Sequence, residues 1–279
     1  AAEGRPVGLL PFSVLGPMGR TVDDAYMLLQ AQAGTDPHDP FSTAPVTDLD
    51  SPLEQADLGS IRAMITPDLG SAAMSHAYSS IFADRTSHFR HHFAAAIDAS
   101  PDFTDGDNCF EVLRGINFVA AHGRRVRDHR DSLSPNVVDN VDRGLAYSLA
   151  DVAEAHLQQS RIARAWLNLF EDIDVVICPA ASSTPFPHAQ WSVDEIDGKP
   201  METYMRWLGI TYLPTMALAC SIALPCGLDQ AGMPFGIQVL GAPGNDKAVI
   251  EIAKSLETVL AQHDKTRRPA PNLGDIKNS

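Results

Sequence analysis

Four consecutive apolar residues, Val175-Val176-Ile177-Cys178, closed by Asp174 on one side and Pro179 on the other, constrain the fold more than any other stretch. Successive side chains of a strand point to opposite faces, so a run without polar alternation needs apolar cover above and below. Such a strand belongs inside a sheet with helices on both sides. Pro179 lacks the N–H that would continue the ladder and marks its end.

The rest of the chain offers that cover. Thr21 with Asp24 forms a capping box, Val22, Ala25, Leu28, Leu29 and Ala33 recur at helical spacing, and Gly34 is a natural stop. Further helices are predicted over Met74–Ile97, over Cys109–Asp128 with a basic end, and after the capping box Ser148/Asp151, whose apolar face is Val152, Ala155, Ile162, Ala163, Trp166 and Phe170. A last helix spans Asp246–His263 and buries Val249, Ile252, Ala253, Leu256 and Leu260. Extended segments are predicted at Gly8–Leu15, Ile61–Thr66, Ser221–Cys226 and Pro234–Leu240, the last two joined through Asp229-Gln230-Ala231-Gly232, which has hairpin chemistry. Strands alternating with long helices predict an α/β fold, a mixed β-sheet covered by α-helices on both faces. The expected organisation is one unit over residues 1–279, with a polar loop at 35–58 and a tail at 264–279.

Composition narrows the partners. At 279 residues and 44% apolar content the chain can bury a substantial core. Its net charge of −14 argues against nucleic acid or an anionic membrane as partner. No apolar run approaches the ~20 residues of a membrane span, and the first six residues lack signal-peptide order. Cys109, Cys178, Cys220 and Cys226 show no Cys-x-x-Cys spacing, which predicts reduced thiols in a cytoplasmic protein. The chain opens on Ala1 rather than Met, so its N-terminus is expected to be trimmed, processed or cut.

Four stretches, in order, carry a family resemblance. Gly16-Pro17-Met18-Gly19-Arg20-Thr21-Val22-Asp23-Asp24-Ala25 resembles the turn-into-helix segment of the amidase signature family. Phe170 to Ala180 is similar to its buried strand, Ala223-Leu224-Pro225-Cys226-Gly227 to a strand end, and Gly232 to Gly241 to the strand near its C-terminus. The resemblance implies hydrolysis of carboxamides by a serine–serine–lysine triad with glycine-rich backbone N–H groups holding the oxyanion. Such a lysine must be desolvated, since an ammonium with the ordinary pKa of about 10.4 accepts no proton at neutral pH. In the family, lysine and serines precede the turn-into-helix segment. Here only fifteen residues precede it, the first lysine is Lys199, and Lys247, Lys254, Lys265 and Lys277 fall in polar loops, exposed helix positions or the tail. No catalytic residue is therefore assigned.

Other constellations have simpler structural readings. Asp57-Leu58-Gly59-Ser60-Ile61-Arg62 resembles the family's nucleophile motif with one glycine missing and in the wrong order, so Ser60 is read as part of a turn entering a strand. His88, His91 and His92 have metal-ligand spacing but no carboxylate or cysteine partner nearby, and are read as a solvated helix face. No metal and no cofactor is expected. Arg124, Arg125, Arg127 and Arg130 are read as helix-end charge beside Asp128 and Asp131 rather than as an anion site.

The loop Ala180–Pro187 follows a buried strand, where α/β sheets place ligand crevices, and nominates Ser183 and Phe186 as substrate-binding. Trp207 and Tyr212 lie in a segment that the family uses for its acyl pocket. The resemblance thus implies the C-terminal scaffold and pocket portion of an amidase acting on a small-molecule amide. A missing N-terminal catalytic segment or a complementing chain would supply the triad. The alternative is a non-catalytic binding or assembly subunit that keeps the scaffold. A glutaminyl-tRNA transamidase subunit is disfavoured by the acidic balance. A homo-oligomer is possible on either reading.

Overall fold

A computed structural model of the chain describes residues 15–38 and 48–270, so Gly8–Leu15, Leu15 apart, lies outside the described residues. Helix α1 (Val22–Gln32) starts as expected. The Thr21 hydroxyl accepts from the Asp24 N–H at 3.1 Å, and the Asp24 carboxylate accepts from the Thr21 N–H at 3.1 Å. Its end differs, because Ala33 closes the helix in extended conformation and no left-handed glycine is used. The Tyr26 hydroxyl and the Gln30 amide then tie α1 to the carbonyl of Leu49.

Strands β1 (Arg62–Ile65), β2 (Ala95–Asp98), β3 (Val175–Pro179), β6 (Cys220–Leu228) and β7 (Pro234–Gly241) form one sheet in the order β2-β1-β3-β7-β6. β1 runs parallel to β2 and β3, while β7 is antiparallel to β3 and β6, so the sheet is mixed. A two-stranded ribbon, β4 (Glu195–Ile196) with β5 (Lys199–Pro200), stands apart. Register between β1 and β3 is pinned by Asp174, which accepts from the Arg62 N–H at 2.7 Å and from its guanidinium at 3.2 and 3.3 Å. Partial burial pushes the Asp174 carboxyl up, but these Arg62 donors outweigh it and hold it below the usual carboxylate value.

All five residues of β3 are buried, as the unbroken apolar run requires. Val175 and Ile177 face α1, α2 (His76–Ser87) and α7 (Asp246–Leu260); Val176 and Cys178 face α3 (Gly106–His129), α5 (Leu149–Leu169) and α6 (Gly209–Met216). Helices therefore cover both faces. Ser148 and Asp151 form the second capping box, at the start of α5. The Asp229 carboxylate accepts from the N–H groups of Ala231 and Met233, each at 2.8 Å, and closes the β6–β7 hairpin. The start of the expected tail is docked, with the Thr266 hydroxyl donating to the Leu260 carbonyl at 2.7 Å.

One element is corrected. Met74–Ile97 is not a single helix: α2 ends at Ser87, a short 3₁₀ turn covers Arg90–His92, and β2 follows. Tyr78, Phe82, Phe89 and Phe93 kept helical spacing because both halves face one core. Pairing to β1 overrides the helix preference of Ala94-Ala95-Ala96, and the Ala94 N–H donates to the Ile61 carbonyl at 2.9 Å. Helix α4 (Pro135–Ala146) was not foreseen and packs on α3 at two glycines. A Cβ on Gly144 would lie 2.5 Å from the Gly115 carbonyl oxygen. Gly144→Ala should thus lose about 1 kcal/mol, steric separation of the helices outweighing the gain in helix propensity. A thermal melt checks this, and an unchanged or raised midpoint would show that α4 shifts freely.

Candidate functional site

The loop after β3 is held at both ends. The Ala180 N–H donates to the Gly236 carbonyl at 3.0 Å, and the Ser182 carbonyl accepts from the Ser75 N–H at 2.9 Å, just where α2 begins. The Ser182 hydroxyl is buried and has no hydrogen-bond partner among the described residues. Next to it the half-buried Ser183 donates to the Thr184 carbonyl at 3.3 Å. Phe186 reaches across to Trp207, the rings meeting edge-on with centroids 5.5 Å apart and planes at 87°. Trp207 lies in the 3₁₀ turn Arg206–Leu208 that leads into α6. Asp197, in the β4–β5 turn, caps α2 by accepting from the His76 N–H at 2.7 Å and ties that ribbon to the start of the helix.

The structure thus brings two of the four nominated residues into contact. Tyr212 sits elsewhere, buried in the core between the sheet and α3, α5 and α6. Its ring stacks on Phe110 at 4.0 Å and 3°, and its hydroxyl donates to Asp107. Burial, reinforced by the Asp107 charge, pushes this phenol far above its ordinary value, so it stays protonated and works as a donor. Arg206 joins the same group, donating to Asp107 at 2.8 Å, Glu111 at 2.8 Å and Glu202 at 3.0 Å. Sequence reasoning missed this network because its members lie about a hundred positions apart and carry no local signal.

A groove of about 650 Å³ opens between α2 and the C-terminal ends of β1 and β2. Ile65, Phe82 and Ala83 line it together with Ser79, Thr86 and the Arg90–Asp98 ion pair at 2.7 Å. It too was missed, since the expected long helix ran through it.

None of the described residues assembles a serine–serine–lysine site. Lys199 is exposed, Lys254 donates to the Leu53 carbonyl and pairs with Asp23, and Lys265 pairs with Asp84. Lys277 lies outside the described residues. Lys247 does donate to the hydroxyl of Ser51, but it also pairs with Glu251 at 4.0 Å and meets no second hydroxyl. Ser60 spends its hydroxyl on the Asp57 carbonyl at 2.7 Å, in a turn closed by the Asp57 carboxylate on the Gly59 N–H at 3.0 Å.

The remaining candidates resolve into local structure. The histidine spacing is not realised on one helix face, for α2 stops first. His88 stacks on His263 with centroids 3.9 Å apart, and His91 meets His92 in a tilted contact at 4.3 Å. Among the described residues no group of three His, Cys, Asp or Glu could hold a metal ion. Arg127 pairs with Asp128 and Arg130 with Asp142. All four cysteines are free, and burial pushes the thiols of Cys109, Cys220 and Cys226 up to about 12, which keeps them protonated. Among the described residues no helix is long and apolar enough to cross a membrane.

Comparison with known proteins finds similarity over most of the chain. A family model described as Amidase matches residues 10–250. The chain is similar to an acylamidase of Rhodococcus erythropolis, 24% identical over 263 residues, covering 92% of this chain and 54% of the relative. It is also similar to a glutamyl-tRNA(Gln) amidotransferase subunit of Geobacter sp. (strain M21), 26% identical over 277 residues, covering 90% and 56%. Among solved structures, a bacterial aryl acylamidase of the amidase signature enzymes superposes with a TM-score of 0.75 at 19% identity, covering 86% of this chain and 51% of that one. The chain spans about half the length of the curated relatives it matches.

Proposed function

The chain belongs to the amidase signature family, and from that premise we propose that it forms the C-terminal scaffold and substrate-pocket portion of a hydrolase of carboxamide C–N bonds. Its serine–serine–lysine triad is then carried by residues outside these 279 positions, on an upstream segment or a complementing chain. The observation that carries this reading is the half-length match to relatives, 54% and 56%, in a chain where no described lysine sits beside a hydroxyl pair. An acylamidase and an aryl acylamidase among the similar proteins support a small or aryl amide as substrate. The net charge of −14 supports a small molecule over a tRNA-bound amide.

In this reading the Phe186–Trp207 pair, with Ser183 beside it, walls the acyl pocket, and Tyr212 braces α6 from behind. Four free thiols support residence in the cytoplasm. A second reading, a non-catalytic assembly subunit, is supported by the two cores already packed on the two sheet faces.

The test begins with a serine-reactive fluorophosphonate. The 279-residue chain alone is expected to take up no label and to cleave no aryl carboxamide. Stoichiometric labelling that disappears in Ser60→Ala would refute the proposal. Expressed together with a segment bearing a lysine and a glycine-flanked serine pair, encoded in frame upstream or by a neighbouring gene, the chain should yield amidase activity. In that enzyme Trp207→Ala should raise KM about tenfold with little change in kcat. If no such segment restores activity, the assembly-subunit reading takes its place.

A further inference from the structure

Helix α5 keeps an apolar stripe in solvent. Leu149 is 84% exposed, Leu157 67% and Leu167 49%, with Ala153 also exposed between the first two. These positions fall on one side of the helix. Charge is distributed along the same helix with opposite sign at its two ends. Glu154 and Arg164 are exposed, and neither has an ion pair or hydrogen bond within the described residues. Arg161, by contrast, is already held by Asp102 at 3.1 Å.

From this stripe we infer that α5 is a self-association surface whose occupant is α5 of a second copy of the chain, antiparallel about a two-fold axis near residue 158. A two-fold contact must be self-complementary, and this stripe is. Setting Leu149 opposite Leu167 of the second copy brings the two Leu157 side chains together across the axis. The same register places Glu154 within about 3 Å, along the helix axis, of Arg164 in the second copy, and symmetry makes that pair twice. Apolar ends, the Leu157 pair near the axis and the two Glu154–Arg164 pairs are what this arrangement joins, with Ser160 beside Leu157 on the same face. This inference goes beyond the proposed function and does not depend on it, because no catalytic or pocket residue lies on the stripe.

Sedimentation equilibrium of the full chain tests it. Wild type is expected to dimerise with a dissociation constant on the order of 10 µM, as suits a small interface. Glu154→Arg and Arg164→Glu should each weaken the dimer about tenfold, since each places like charges together twice. The double variant Glu154→Arg/Arg164→Glu should return to within about threefold of wild type, because the exchanged charges again face opposite partners. All these positions are exposed, so circular dichroism should show unchanged folding. A wild type that stays monomeric at every accessible concentration overturns the inference. So does a dimer indifferent to both single changes, or one that the double variant fails to restore.

Discussion

Gly227→Ala is expected to destabilise the chain by about 4 kcal/mol, through strain and overpacking at one buried position. Gly227 sits at the irregularity between Pro225 and Leu228 in β6 with φ at +84°. That conformation alone costs a residue with a Cβ about 1–2 kcal/mol. The larger part is contact. A Cβ there would lie 1.9 Å from the carbonyl oxygen of Lys265, in the docked turn after α7, and 3.4 Å from the Nε of Arg85. A backbone oxygen cannot swing aside as a side chain can, so the turn or the bulge must move. Gly232 supplies the control, for its φ is +79° and nothing lies within 4 Å of its would-be Cβ. Gly232→Ala should therefore show the conformational part alone, about 1 kcal/mol. Urea denaturation of both variants separates the two contributions. Equal losses would mean that the Lys265 contact yields without cost.

The steric match at Gly227 shows what local sequence can and cannot reveal. The glycine itself belongs to a legible strand end, but its neighbour in space is Lys265, 38 positions on. The legible elements are those whose determinants are local. Both capping boxes, the buried run of β3, the Asp229 hairpin and the α7 stripe satisfy their requirements within a few residues. β2 was hidden because the aromatic spacing across residues 78–93 reports a shared core and not a shared helix. Helix α4 had a readable signal, Ser134 before Pro135 with Val137, Val138, Val141 and Leu145 at helical intervals. Its small apolar stripe was overlooked between two stronger patterns.

The candidate site divides the same way. Position after a buried strand pointed to Ser183 and Phe186, and the family resemblance to Trp207 and Tyr212. Only the folded chain shows that Phe186 and Trp207 touch while Tyr212 turns into the core. Asp107 and Glu111 read simply as polar positions at the start of α3, and nothing nearby marks Arg206 as their partner. Electrostatic pairs across distant segments carry no periodicity, so they appear only once the layers are assembled.

That distant group should be far more sensitive to substitution than an exposed ion pair. Arg206 is 19% exposed, and the carboxylates it joins are 25% exposed at Asp107 and 20% at Glu111. Arg206→Ala would strand both carboxylates, with the Tyr212 hydroxyl and the weaker Thr203 donor left to them among the described residues. Breaking a mostly buried ion pair from one side costs about 3 kcal/mol, against less than about 1 kcal/mol for an exposed one. The third partner calibrates the scale, because Glu202 is 75% exposed. Glu202→Ala should change stability by no more than about 0.5 kcal/mol. If stranded charge is the cause, removing it should help: Arg206→Met combined with Asp107→Asn and Glu111→Gln should recover most of the loss. Denaturant midpoints at constant slope measure all three. A loss below about 1 kcal/mol in Arg206→Ala would place the cluster with ordinary surface pairs. Since Arg206 opens the turn that carries Trp207, it would also remove the electrostatic basis for a fixed aromatic wall beside Phe186.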